Sequence, residues 1–245
     1  MLRGIGKTFG GLIFCTFLVG SVFIASLIEL TEYNNLKTVA TDLFSKQLTE
    51  NITTEEIRQM HSLLLLQCAD KETIELSLGE KNVTLDCSKL RGIEAEDIIP
   101  FIATAAFDEI YYEEYECEFI QCLQKEEGLM VLASAHANNF FKSIQNFVLI
   151  GTIIGAVILF VSIKNWSGRL TGFGTLLIFT GIPYFFLGFF KGFIPAEVAT
   201  VASPLVNQIM SSLSTKLLII FIVGVILAIS GYFLKYLSRK KTKKK

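Results

Sequence analysis

The chain has 245 residues, a length that suits one large domain or two small ones. With 51% hydrophobic and only 18% charged residues, and a mean hydropathy of +0.52, its composition excludes a simple soluble globule, a disordered chain and a nucleic-acid-binding protein. The net charge of −1 conceals a segregation, because residues 31–145 carry 21 acidic and 9 basic side chains whereas the remainder carries 2 acidic and 13 basic ones.

Four apolar stretches approach the roughly 20 residues that a helix needs to cross a bilayer core. They predict transmembrane helices at 9–30, 146–163, 170–190 and 217–234. An uncleaved first helix is favoured over a cleaved signal peptide, because an apolar run of about 20 residues exceeds the signal core of roughly 7–15. The predicted fold is a membrane all-α bundle of four transmembrane helices. A mainly α extracytoplasmic domain with one small β-hairpin is inserted between helices 1 and 2.

Basic residues near the helix ends predict the orientation, since cytoplasmic segments of membrane proteins are enriched in Lys and Arg. The N-terminus (1–8), the turn at 164–169 and the tail (235–245) together carry 11 bases and no acid. The domain at 31–145 and the loop at 191–216 fall on the opposite side. We therefore predict a multi-pass protein of the cell membrane, or of an endomembrane in a eukaryote, with both termini cytoplasmic.

Two helices are predicted inside the acidic domain. Thr53 and Glu56 form the pattern of a capping box, which marks a helix start. The helix after it has an apolar face made by Ile57, Met60, Leu64 and Cys68. A second helix is predicted at 97–112, with Pro100 tolerated in its first turn. Residues 32–50 and 129–146 are predicted to continue the flanking transmembrane helices.

A β-hairpin is predicted between these two helices from the alternation of apolar and polar residues. A four-residue turn at 79–82 would pair Leu78 with Val83 and place Cys87 opposite Ile74.

Four cysteines lie in the acidic domain, namely Cys68, Cys87, Cys117 and Cys122. On an oxidising face they predict two disulfides rather than a zinc site, and three connectivities are open. We favour bonds that link Cys68 and Cys87 to Cys117 and Cys122, because residues five apart on a helix point in different directions.

The acidic domain also carries two glycosylation sequons, at Asn51 and Asn82. Its densest acidic stretch comprises Asp108, Glu109, Glu113, Glu114, Glu116 and Glu118, interleaved with aromatic residues. Carboxylates in such number suit calcium. The spacing of a calcium-binding loop is missing, however, which favours a solvated acidic face.

Small residues predict close helix packing in the bundle. The glycines concerned are Gly151, Gly155, Gly181, Gly188, Gly224 and Gly231. Pro183 is predicted to kink the third span. The loop at 191–216 is predicted to hold an interfacial helix from Ala196, interrupted at Pro204. The charged side chains of the spans are confined to their ends, which argues against a transporter.

Sequence signatures of hydrolases, metalloproteases and nucleotide-binding loops are missing from the chain. We therefore predict a non-enzymatic interaction or assembly protein that needs no cofactor or metal. Its disulfide-stabilised outer domain would bind a protein partner, its bundle would sit in the lipid bilayer with self-association left open, and no nucleic acid would bind. A channel or small-solute transporter is the alternative. The basic tail is predicted to anchor at the membrane surface through Lys240, Lys241, Lys243, Lys244 and Lys245.

Overall fold

The computed structural model describes residues 2–49, 52–78, 81–124, 128–191 and 196–242. The chain divides into two compact units, a helical unit of Met1–Leu30 with Phe140–Lys245 and a second unit of Thr31–Asn139, which we name the outer unit after its predicted location. In chain order the elements are α1 (Leu2–Leu30), α2 (Tyr33–Thr49), α3 (Thr54–Gln67), β1 (Thr73–Leu78), β2 (Lys81–Asp86), α4 (Cys87–Leu90), a 3₁₀ turn (Ala95–Asp97), α5 (Ile98–Tyr111), α6 (Phe119–Leu123), α7 (Gly128–Leu132), α8 (Ala135–Ser162), α9 (Trp166–Gly181), α10 (Pro183–Lys191) and α11 (Ala196–Thr242).

Four helices of the described chain are long and apolar enough to cross a membrane, and they span Ile5–Leu30, Ala135–Ser162, Trp166–Leu187 and Asn207–Ser238. Large apolar side chains lie exposed on them, for example Leu12 at 65% and Phe179 at 65%. Surfaces of this kind suit lipid, because a bilayer removes the cost of leaving them in water. The prediction of a mostly helical chain with four helices long and apolar enough to cross a membrane is confirmed.

Two prolines act differently on these helices. Pro183 is the first residue of α10, and Ile182 separates it from α9, so the predicted kink is present as a helix break. Pro204 lies inside α11, which runs unbroken from Ala196 to Thr242. The predicted interruption at Pro204 is therefore wrong, whereas the helix predicted from Ala196 is present as the start of α11. Proline removes a single backbone donor, and the helix-compatible residues on either side continue the helix across it.

Glycines lie where the helices of the helical unit approach most closely. A Cβ atom on Gly155 would meet the Phe14 nitrogen at 2.6 Å, and Gly151 lies against the Phe17 ring, so α8 packs on α1. A Cβ atom on Gly181 would lie 2.6 Å from the Phe221 Cβ atom. Gly224 and Gly231 likewise bring α11 onto the backbone of α9. Gly188, in α10, lies outside the residues whose packing is described.

The core of the outer unit forms between α3, the hairpin and α5. The capping box is confirmed, since the Thr53 nitrogen donates to Glu56 Oε2 (2.8 Å) and the Glu56 nitrogen donates to Thr53 Oγ1 (3.4 Å). The predicted second helix is present as α5, with Pro100 in its first turn. Its apolar face buries Ile99, Ile102, Ala103, Ala106 and Phe107. Leu85, Leu90 and Ile98 are fully buried at the centre.

The hairpin is present, but its predicted register is wrong by two residues. Ile74 pairs with Leu85 and Leu76 pairs with Val83. Only positions 79 and 80, outside the described residues, separate the strands. A shift of two residues leaves every side chain on its predicted face, so alternation could not distinguish the two registers.

The predicted helical continuations at 32–50 and 129–146 are each interrupted. Helix α1 ends at Leu30 and α2 begins at Tyr33. Helix α7 ends at Leu132 and α8 begins at Ala135. The buried Ser134 hydroxyl donates to the Val131 carbonyl (2.6 Å) and accepts from the Ala137 nitrogen (3.4 Å), which ends one helix and starts the next.

Candidate functional site

The C-terminal end of α5 forms one wall of a cleft in the outer unit. The cleft has a volume of about 580 Å³ and is lined by Asn82, Asp108, Glu109, Tyr112, Glu113 and Glu114. Tyr112 is 63% exposed and presents its ring to solvent. The cleft therefore combines carboxylates with an aromatic face, and both groups attract cations.

Helix α2 supports this cleft through Tyr33. Its hydroxyl donates to Asp108 Oδ1 (2.6 Å) and accepts from the Lys37 ammonium (3.0 Å). Its ring lies 5.7 Å from the Tyr112 ring and 5.2 Å from the Tyr111 ring. Tyr111 is buried and donates to the Thr31 carbonyl (3.2 Å). The orientation of Asp108 and Tyr112 is thus determined by a neighbouring helix.

These contacts change the acid–base behaviour of the cleft wall. The hydrogen bond to Asp108 raises the pKa of Tyr33, because the carboxylate stabilises the protonated phenol. The hydrogen bond to Tyr33 raises the pKa of Lys37. Burial raises the pKa of Tyr111. At neutral pH Tyr33 and Tyr111 therefore stay neutral and Lys37 stays positive.

The outer unit contains two disulfides. Cys68 bonds to Cys87, which joins the end of α3 to the start of α4, and Cys117 bonds to Cys122. The predicted links between these two groups are therefore wrong. Helix α6 begins at Phe119, so Cys117 precedes the helix and is free of the helical spacing that separates residues five apart. The second disulfide closes the segment that follows the acidic cleft.

The two sequons have different standing. Asn82 is exposed on β2 and also lines the acidic cleft, so a glycan there would occupy the cleft. Asn51 lies outside the described residues. Whether either asparagine is modified stays a prediction.

A polar cluster at the end of α1 was missed by the sequence reading. Glu29 Oε2 accepts from the Lys216 ammonium (2.7 Å) and from the Ser212 hydroxyl (2.6 Å). Lys216 also donates to Ser212 (2.7 Å) and to the fully buried Ser26 (3.3 Å). Both charged residues lie within candidate spans. The signal available in the sequence was the i, i+4 spacing of Ser212 and Lys216, which puts both on one face of α11.

Two further groups are the histidine His136 and the lysines of the basic tail. His136 packs beside the Tyr115 and Phe119 rings, at 6.1 and 6.3 Å between centroids. Within the described part of the chain, no three His, Cys, Asp or Glu side chains are grouped closely enough to hold a metal ion. Lys240 lies near the Tyr236 ring at 5.9 Å, and Lys241 is in α11 without a described side chain. Lys243, Lys244 and Lys245 lie outside the described residues.

Comparisons of the chain with protein-family models, with curated proteins and with solved structures find no match. The functional interpretation therefore rests on the residues of the clefts and on their geometry.

Proposed function

We propose that this protein is a non-enzymatic, multi-pass membrane protein whose outer unit binds a basic protein partner in the acidic cleft. The observation that carries the proposal is the convergence of four carboxylates and the exposed Tyr112 ring on one cleft of about 580 Å³. A lysine or arginine side chain would meet carboxylates and an aromatic face together, a pairing that such cations favour.

The orientation belongs to the same proposal. Segments 1–8, 164–169 and 235–245 carry 11 bases and no acid, which supports a cytoplasmic location for both termini. The acidic unit would then face the outside or the lumen, where disulfides form and persist. Self-association of the helical unit also remains a proposal.

The test uses the full chain in nanodiscs and two fluorescent peptides of equal length, one rich in arginine and one rich in glutamate. We expect the arginine peptide to bind more tightly, with an affinity that falls steeply as salt is added. The double variant Glu109→Gln/Glu114→Gln should weaken binding at least fivefold, because it removes two carboxylates from the cleft while leaving Asp108 on Tyr33.

The matched control is Glu94→Gln/Glu96→Gln, which removes the same charge from exposed positions outside the cleft. If the control weakened binding as much as the cleft variant did, the net charge of the unit would explain the effect and the proposed cleft would be wrong. Equal affinity of the wild type for both peptides would also contradict the proposal.

A channel or small-solute transporter is a second candidate, and the polar cluster supports it. Glu29, Ser212 and Lys216 line a cleft of about 320 Å³ in the helical unit. Ionisable residues in membrane spans commonly mark ion or solute pathways. Solute flux into proteoliposomes that is lost in Lys216→Met or Gly181→Leu would favour this candidate, whereas flux equal to that of empty liposomes would reject it.

A further inference from the structure

A basic cleft lies at the end of the helical unit where α8 and α9 join. It has a volume of about 550 Å³, and its walls come from α1, α8, α9, α11 and the short turn before α9. Lys7 of α1 and Lys235 of α11 both line it, although they are 228 positions apart in the sequence. Ser167, Thr171 and Tyr232 also line the cleft and add polar side chains to it.

The charge of this cleft is uncompensated by the residues that surround it. Its lining contains Lys7 and Lys235 but no aspartate or glutamate. Within the described part of the chain, neither lysine has a carboxylate at ion-pair distance. Two ammonium groups that converge on one cleft repel each other and concentrate a positive potential there, which an anion would relieve.

The first turn of α9 adds hydrogen-bond donors to the same cleft. Asn165 is the N-cap residue, and its side chain makes no capping hydrogen bond. Ser167 and Gly168 follow it in the lining. Backbone N–H groups of a first helical turn have no partner inside the helix, so they complement the lysines as donors to an anion.

Close helix packing holds the walls of the cleft in place. A Cβ atom on Gly231 would meet the Thr171 nitrogen at 2.6 Å, so α11 lies directly against α9 one turn before Lys235. A Cβ atom on Gly10 would meet the Leu159 nitrogen at 2.9 Å, so α1 lies against α8 close to Lys7. Both lysines therefore extend from fixed backbone positions, which lowers the cost of ordering them around a ligand.

We propose that this cleft binds the phosphate group of an anionic ligand, held by Lys7 and Lys235. The inference goes beyond the proposed partner binding, which concerns the other unit. An anionic phospholipid head group and a soluble phosphate share the required chemistry. Lys7 and Lys235 each lie within a few residues of the end of a candidate span. Basic side chains near the ends of a membrane-crossing helix extend toward the lipid head groups.

The single tryptophan of the chain provides a local reporter for the test. Trp166 is the residue before Ser167 and is 65% exposed. The full chain is reconstituted in phosphatidylcholine containing increasing fractions of brominated phosphatidylglycerol, which quenches tryptophan fluorescence on contact. We expect a quenching curve that shows preference for the anionic lipid, and Lys7→Gln/Lys235→Gln should lower this preference about fivefold for each lysine removed.

Lys164→Gln/Lys240→Gln is the matched control, because it removes the same charge from exposed residues that do not line the cleft. It should retain the preference, and Lys7→Arg/Lys235→Arg should retain it too. Circular dichroism and gel filtration establish that each variant is folded. A second arm titrates inorganic phosphate onto the detergent-solubilised chain and follows Trp166 emission.

Lipid preference that depends on Lys7 and Lys235 identifies a lipid head group as the ligand. A phosphate response that depends on the same lysines, without lipid preference, identifies a soluble phosphate ligand. The proposal is overturned if the wild type shows neither response, or if the control double variant loses either response as completely as the cleft variant does.

Discussion

In the outer unit, covalent bonds and side-chain hydrogen bonds connect short elements, as Cys68–Cys87 and the Tyr33–Asp108 contact illustrate. In the helical unit, the strongest constraints are contacts in which glycine brings one helix onto the backbone of another, as Gly224 does at Ile178. The difference follows from the surface of the helical unit, whose exposed apolar side chains suit lipid rather than water. Helices with apolar surfaces on all sides gain little from hydrophobic contact with each other in lipid, so they associate by close packing. Disulfides stabilise the outer unit in a different way, by limiting the freedom of its unfolded chain.

The largest expected effect concerns the disulfides. Replacing Cys68 and Cys87 by serine should destabilise the outer unit by about 3 kcal/mol from chain entropy alone, because the bond closes a long loop. Cys117→Ser/Cys122→Ser is the internal comparison and should cost about 2 kcal/mol for its shorter loop. Urea unfolding followed by far-ultraviolet circular dichroism measures both. Equal losses in the two variants would contradict the loop-length explanation.

Replacing glycine by alanine should change the stability of the helical unit in opposite directions at two positions. Gly224→Ala should destabilise it by about 1–3 kcal/mol, because the new Cβ atom would lie 2.7 Å from the Ile178 nitrogen. Gly20→Ala should stabilise it by up to about 1 kcal/mol, since alanine favours helix and its Cβ atom would meet Val148 at an ordinary 3.5 Å. Thermal unfolding in detergent measures both. Destabilisation by both substitutions would show that the unit tolerates no added volume.

Tyr33→Phe should destabilise the outer unit by about 1 kcal/mol, because it removes the donor to Asp108 and the acceptor for Lys37. The wild type should also lose stability at alkaline pH. The pKa values of Tyr33 and Lys37 are both raised in the folded state, so their stabilisation is complete below the unfolded values near 10 and 10.5 and is lost as pH rises through the folded ones. Denaturation midpoints between pH 8 and 11 should fall less steeply in Tyr33→Phe; identical profiles would contradict this role.

The smallest expected effect is at the Glu29–Lys216 pair, which is partly exposed. Lys216→Met should cost about 1 kcal/mol or less, as is typical of exposed ion pairs. Glu29→Gln/Lys216→Met should cost little more than either single change, because each single change already breaks the pair. Unfolding of the two single variants and the double variant in detergent gives the coupling free energy between Glu29 and Lys216. Additive losses would mean that the two residues do not interact.

Local patterns were sufficient for several elements of the fold. The capping box at Thr53 and the apolar stripe of α5 depend on contacts three or four residues apart, so the sequence contains the whole signal. The acidic stretch at 108–118 was recognised as well. That Tyr33 supports it, and that Asn82 lines the same cleft, depends on contacts between residues far apart in the chain.

What the sequence by itself determined is the number of apolar helices, the segregation of charge and the faces of the hairpin, because hydrophobic length, net charge and alternation are properties of contiguous residues. Only the tertiary structure decided the disulfide partners, the hairpin register and the convergence of Lys7 with Lys235. Each of these depends on a distance between segments. Alternation repeats every two residues and helical spacing assumes an unbroken helix, so neither pattern distinguishes the observed pairing from its neighbours.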